Sequence, residues 1–127
     1  MNKTPDWSDK TILVVEDEPV NQYFFKTVLE TSRISILFTA SGQESIELVL
    51  EHPEIDCVLM DIRLPGIDGF EATRQIKKIR PELVVIVQTA YALSNDRLKA
   101  FEAGCDVYLT KPLQVAQLFE VLQNYLH

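Results

Sequence analysis

Asp61 closes the uninterrupted apolar run Cys57-Val58-Leu59-Met60, and Pro65, Gly66 and Gly69 soon after it cannot extend a strand. A carboxylate where a buried strand gives way to a loop can act as a nucleophile, hold a cation or tie down the loop backbone. Glu16-Asp17-Glu18 follows a second apolar run, Thr89 ends a third, and Lys111 follows a fourth. If Glu16, Asp17 and Asp61 meet in one crevice, their repulsion requires raised pKa values or a bound cation. All-oxygen ligands suit a hard ion, and few carboxylates with room for waters and a phosphate oxygen suit Mg2+ better than Ca2+. The pattern therefore points to a Mg2+ site at Glu16, Asp17 and Asp61. Each piece also has a local reading: Asp61 as the hydrogen-bonding residue of its own loop, Glu16 to Glu18 as the acidic first turn of a helix, Lys111-Pro112 as an ordinary turn, Thr89 as a strand residue.

Whether these residues meet depends on the elements that carry them. Thr11 to Val15 is a β-branched strand, and Pro19 opens a helix with Val20, Phe24 and Val28 on one face, widened by Phe25 and Leu29, to about Ser32. Ile34 to Thr39 forms a second strand. Ser41-Gly42-Gln43-Glu44 has capping-box spacing and starts a second helix to about Glu51. After the Asp61 strand, Asp68 caps a third helix that ends before Pro81. Leu83 to Val87 is a fourth strand finishing at Gln88-Thr89-Ala90. The apolar pattern between Leu93 and Ala103 is thin, so the fourth helix is expected to be marginal. Val107-Tyr108-Leu109 gives a fifth strand, and Val115, Leu118, Phe119, Leu122 and Leu126 mark a last helix.

Five strands alternating with five helices predict an α/β fold with an open, doubly wound parallel sheet; two sheet orders are common for this pattern and the sequence alone does not choose between them, but the flavodoxin-like order 2-1-3-4-5 fits five strands. That order sets the first and third strands side by side, which brings Glu16, Asp17 and Asp61 together. Residues 1–9 are polar apart from Trp7 and are expected to be a tail or linker, leaving 10–127 as the domain. The net charge of −7 argues against direct binding to nucleic acid or to an anionic membrane surface. The longest apolar run, Leu83 to Val87, is too short for a bilayer, and the character is cytoplasmic. Cys57 and Cys105 lie in or beside apolar runs and are expected as reduced core thiols.

Val14-Val15-Glu16-Asp17-Glu18, Met60-Asp61 with Pro65-Gly66 and Asp68-Gly69, Thr89-Ala90, and Tyr108-Leu109-Thr110-Lys111-Pro112 together resemble a response-regulator receiver domain of two-component phosphorelay signalling, from about Lys10 to the C-terminus. The resemblance implies that Asp61 accepts a phosphoryl group from a phosphohistidine donor, either a histidine kinase or a histidine phosphotransfer protein. It implies that Glu16, Asp17, Asp61 and the backbone carbonyl of Arg63 hold Mg2+. Lys111 and the Thr89 hydroxyl would contact the phosphoryl oxygens, and the Lys111–Pro112 peptide would be cis. Thr89 and Tyr108 would act as the switch that repacks the face of the fourth helix, fifth strand and fifth helix, which could also serve a phosphorylation-dependent dimer. Arg63 and Tyr91, two residues beyond Asp61 and Thr89, would shield the acyl phosphate from water. The chain around Trp7 to Lys10 and Glu16 to Gln22 is similar to receivers of hybrid histidine kinases.

On this reading the domain is no enzyme beyond assisting its own phosphorylation and dephosphorylation. Phosphatases of the haloacid dehalogenase type also use an Asp nucleophile with Mg2+, but they need a second Asp two residues later, where this chain has Arg63. A flavodoxin-like nucleotide binder would need a Gly-rich loop after the first strand, where Glu16-Asp17 stands instead. A receiver used only for docking, without phosphorylation, has no use for the acidic, Thr and Lys set together.

Overall fold

The computed structural model describes residues 4–90 and 92–127. The strands are β1 (Thr11–Val15), β2 (Ser35–Thr39), β3 (Cys57–Asp61), β4 (Val84–Thr89) and β5 (Val107–Thr110), and the helices are α1 (Pro19–Leu29), α2 (Gly42–Glu51), α3 (Gly69–Ile79), α4 (Asp96–Ala103) and α5 (Val115–Gln123), with a short 3-10 turn at Glu30–Ser32. The sheet is parallel in the order β2-β1-β3-β4-β5. β3 is buried at every position, which is why its sequence lacks polar alternation.

Successive side chains on each strand point to opposite faces, so the sheet feeds two cores. Leu13, Val15, Val58, Met60, Val85 and Val87 belong to one cluster, with Ile46 of α2, Ile76 of α3 and Ala100 of α4. Ile12, Val14, Cys57, Leu59 and Ile86 belong to the other, with Phe25 of α1 and Leu118 and Leu122 of α5. Continued by two residues, the second set of rows ends at Glu16, Asp61 and Gln88. The pairs Val15↔Met60 and Asp61↔Gln88 put these three polar residues level across β1, β3 and β4.

The helix starts follow local chemistry. Ser41 Oγ accepts from the Glu44 N–H at 3.1 Å and Asp68 Oδ1 from the Glu71 N–H at 2.9 Å, so both expected caps are made. Gly69 donates its N–H to the Ile62 carbonyl at 2.9 Å, and a Cβ there would lie 2.1 Å from the Asp61 carbonyl oxygen. Only a residue without a side chain lets α3 start against the loop that displays Asp61. Gly69→Ala is expected to destabilise the protein by about 3 kcal/mol, through the backbone shift that this overlap forces. Urea unfolding of the two proteins checks it.

Several expectations change. The segment before Lys10 delivers Trp7 to the core: the residue is 4% exposed, its ring packs at a tilt on that of Phe119 with centroids 5.7 Å apart, and its backbone N–H donates to the Ser32 carbonyl at 2.7 Å. A large apolar ring outweighs its polar neighbours in sequence, so this part of the anticipated tail packs with α5. On α1 the buried residues are Phe25 and Leu29, whereas Val20, in the first turn, is 79% exposed. On α5, Leu118 and Leu122 are buried and Val115 is exposed. β2 begins at Ser35, with Ile34 buried just before it, and α4 is shorter than the thin pattern from Leu93 suggested. Both cysteines are buried free thiols whose pKa values burial raises.

Candidate functional site

Beyond the carboxyl ends of β1 and β3, one oxygen each of Glu16, Asp17 and Asp61 lie within 4.8 Å of one another. The parallel register and the neighbouring placement of β1 and β3 produce this meeting, as the sheet order required. Glu16 and Asp61 are buried and Asp17 is half-buried. A cavity of about 70 Å³ opens beside them, lined by Asp17, Glu18, Asn21, Asp61, Arg63, Ala90 and Lys111. Its dimensions suit a small ion and its waters rather than an organic ligand. Three convergent hard oxygens at the mouth of a small polar cavity fit Mg2+ in donor type and charge.

Lys111 Nζ reaches Glu16 Oε1 at 2.7 Å, and Gln88 Nε2 donates to the same oxygen at 3.1 Å. Glu16 Oε2 accepts the Glu18 N–H at 3.2 Å, while the Gln22 side-chain amide donates to the Glu16 carbonyl at 2.6 Å. Burial pushes the Glu16 carboxyl up, but the hydrogen bonds from Lys111 and Gln88 outweigh it and hold the group below its ordinary value. At Asp61 the balance is reversed. Burial first and the charge of Glu16 second raise its pKa from 3.8 to about 6, against the opposing pull of Lys111 and of the Arg63 N–H, which donates to Asp61 Oδ1 at 3.2 Å. Thr89 is fully buried at the end of β4, and its carbonyl accepts the Lys111 N–H at 2.8 Å. The Lys111–Pro112 peptide is cis.

Asp61, the acidic pair Glu16 and Asp17, Thr89 and Lys111 thus gather at the ends of four parallel strands. The model of the response regulator receiver domain matches residues 12–123. The chain belongs to that family. A receiver domain is a signalling module of two-component systems, and the fold seen here is the family's flavodoxin-like one. The chain is 35% identical over 120 residues to the polar-differentiation response regulator DivK of Brucella ovis, covering 92% of this chain and 96% of that one. Among solved structures, it is similar to the receiver domain of sensor histidine kinase PA1611 from Pseudomonas aeruginosa, described with magnesium coordinated in the active-site cleft (TM-score 0.84, 36% identity, 92% of this chain and 97% of that one). It is also similar to a chain in the co-crystal structure of the Saccharomyces cerevisiae histidine phosphotransfer protein Ypd1 with the receiver domain of Ssk1 (TM-score 0.85, 26% identity, 98% and 92%). No helix among the described residues is long and apolar enough to cross a membrane.

The receiver's remaining expected residues lie on the neighbouring face. Tyr108, on β5, is half-buried against the α3–α4 core, with the Arg97 guanidinium 5.9 Å from its ring and 5.2 Å from that of Phe101. Arg63 sends its guanidinium to Asp96, the first residue of α4. Asp96 is 1% exposed and also accepts the Leu93 N–H at 2.8 Å. Tyr91, the expected partner of Arg63 in shielding, lies outside the described residues.

Two residues of the site escaped the sequence reading. In sequence Gln88 reads only as a polar strand end, and its place directly after the apolar run Leu83 to Val87 is the one local signal available. Asp96 carries no signal in the sequence, because nothing near it says that Arg63 will reach it. Asp96→Ala removes both the partner of that guanidinium and the acceptor for the Leu93 N–H. It is expected to cost about 2 kcal/mol and to speed amide exchange across α4 while leaving α2 unchanged, which hydrogen-exchange mass spectrometry reads directly.

Proposed function

We propose that Asp61 is the phosphoacceptor of this receiver domain. The observation that carries the reading is the joint placement of Asp61 with Glu16, Asp17 and Lys111 around one small cavity at the strand ends. An Asp61 carboxylate oxygen attacks phosphorus in line; an O–P bond forms, the N–P bond of a phosphohistidine breaks, and the imidazole leaves with the bonding pair. No base is needed, because the nucleophile is ionised at neutral pH even with its pKa near 6. Glu16, Asp17, Asp61 and the Arg63 carbonyl would hold Mg2+, which neutralises charge on the transferred group when bound. Lys111 turns from Glu16 to one phosphoryl oxygen and Thr89 donates its hydroxyl to another.

Phosphorylation adds up to about two negative charges and three acceptor oxygens. Thr89 moves toward them, Tyr108 turns into the space released, and the face of α4, β5 and α5 repacks. That face carries exposed Leu98, Phe101 and Val115, which supports its use in a phosphorylation-dependent dimer. Arg63, through Asp96, ties the start of α4 to the loop that follows Asp61.

The donor is a histidine kinase or a histidine phosphotransfer protein. A groove of about 490 Å³ lined by Val20, Asn21, Phe24, Pro112 and Leu113 adjoins Lys111 and Ala90, which also border the Asp61 cavity. An apolar helix surface seated there would present its histidine directly over Asp61, and the exposed Val20 is explained by that use. The Ypd1 complex and the sensor-kinase receiver among the similar structures support this donor class and a place in or beside a hybrid histidine kinase.

Intact mass after incubation with acetyl phosphate and Mg2+ tests the reading. The expected result is a gain of about 80 Da that is absent without Mg2+ and absent in Asp61→Asn. No gain, together with no beryllofluoride binding, would sink the reading and leave a docking module.

A further inference from the structure

Gln88 stands where β4 needs only an apolar residue, and it is fully buried. Its Nε2 donates to Glu16 Oε1 at 3.1 Å, whereas its own Oε1 is buried with no hydrogen-bond partner among the described residues. A buried amide with one end unsatisfied is unfavourable, and a Met or Leu would fill the same volume without that cost. The use of the residue must therefore lie at the satisfied end.

That end meets the Glu16 carboxylate. Glu16 is wholly buried, and its Oε1 receives one charged donor, Lys111 at 2.7 Å, and one neutral donor, Gln88. The two differ in what a new anion would do to them. Lys111 is a point charge on a long flexible stem in the loop after β5, and an incoming phosphoryl group attracts it. Gln88 is neutral, fixed on a central strand, and paired in register with Asp61 itself. When the ammonium leaves, the amide stays.

We propose that Gln88 is a positioning residue for the Mg2+ site: it holds Glu16 Oε1 in place, so that the carboxylate keeps its orientation toward the metal when Lys111 transfers to the phosphoryl group. The inference rests on the phosphoacceptor reading above. Fixing a ligand through its outer hydrogen bond commonly contributes about ten- to a hundredfold in metal affinity. A neutral donor achieves this without repelling the cation.

The test is a calorimetric Mg2+ titration of Gln88→Met and Gln88→Leu beside the wild type, each with and without beryllofluoride as the phosphoryl mimic. Ile86→Val, two residues earlier on the same strand face, controls for loosened packing, and thermal midpoints are recorded for all four proteins. Mg2+ affinity is expected to fall about tenfold in both Gln88 variants. With beryllofluoride bound the loss grows by about a further fivefold, since Glu16 then has neither donor. Ile86→Val should bind as the wild type does. Wild-type affinity in either folded Gln88 variant, or an equal loss in Ile86→Val, overturns the proposal, as does a loss that beryllofluoride leaves unchanged. If the wild type itself binds no Mg2+, the phosphoacceptor reading falls first and this one with it.

Discussion

Asp61→Asn is expected to stabilise the metal-free protein while abolishing phosphorylation. The Asp61 carboxyl is crowded by Glu16 and buried, and its pKa rises from 3.8 to about 6. In that interval the folded state holds a proton that the unfolded state has released, so stability falls as pH rises from about 4 to about 6 and stays lower above it. Asparagine carries no charge and escapes the penalty. After allowance for solvent at the cavity mouth, the gain is on the order of 1–2 kcal/mol near neutral pH, or about 5–10 °C in Tm, and it vanishes below about pH 4. Mg2+ should raise the Tm of the wild type and leave the variant's nearly unchanged. Thermal unfolding across pH, with and without Mg2+, reads both effects. A variant less stable than the wild type at neutral pH would contradict the crowding described here.

Lys111→Met should move stability the other way. It leaves the fully buried Glu16 with only Gln88 and a backbone N–H, and breaking a buried ion pair from one side costs about 3–5 kcal/mol. The sign with pH follows from Glu16. In the wild type its pKa is lowered, so its contribution is present above the unfolded value of 4.5 and is lost as pH falls through the folded one. Without Lys111, burial dominates and the pKa rises, so the deficit is greatest at about pH 8 and shrinks toward about pH 5 as Glu16 takes up a proton. Added Mg2+ is expected to supply a replacement cation and to recover part of the loss. Chemical denaturation at the two pH values checks the direction, and a deficit independent of pH would show that Lys111 acts mainly through packing.

Much of this was legible because the relevant information is local. The apolar runs ending at Val15, Asp61 and Thr89 announced strands buried on both faces, since only a covered strand dispenses with polar alternation. The caps at Ser41 and Asp68 were readable because a side chain that satisfies a helix's first N–H groups lies within three residues of them. The acidic pair Glu16-Asp17 and the Asp61 strand end required only the parallel order β2-β1-β3-β4-β5 to converge, and alternating strands and helices leave few other orders open.

What pattern could not supply were the pairings made through space by side chains distant in sequence. Glu16 is separated from Gln88 by 72 residues and from Lys111 by 95, and the level at which they meet is set by the register of four strands, not by any neighbour in the chain. Arg63 reaches Asp96 because α4 packs beside the β3–α3 loop, and Trp7 enters the core because α5 offers Phe119 beside it. Residue order is enough to mark the strand ends that bear carboxylate, hydroxyl and ammonium groups. The tertiary structure alone decided which partner each charge meets, because hydrogen bonds and ion pairs act over a few ångströms and only the folded register brings those atoms within range.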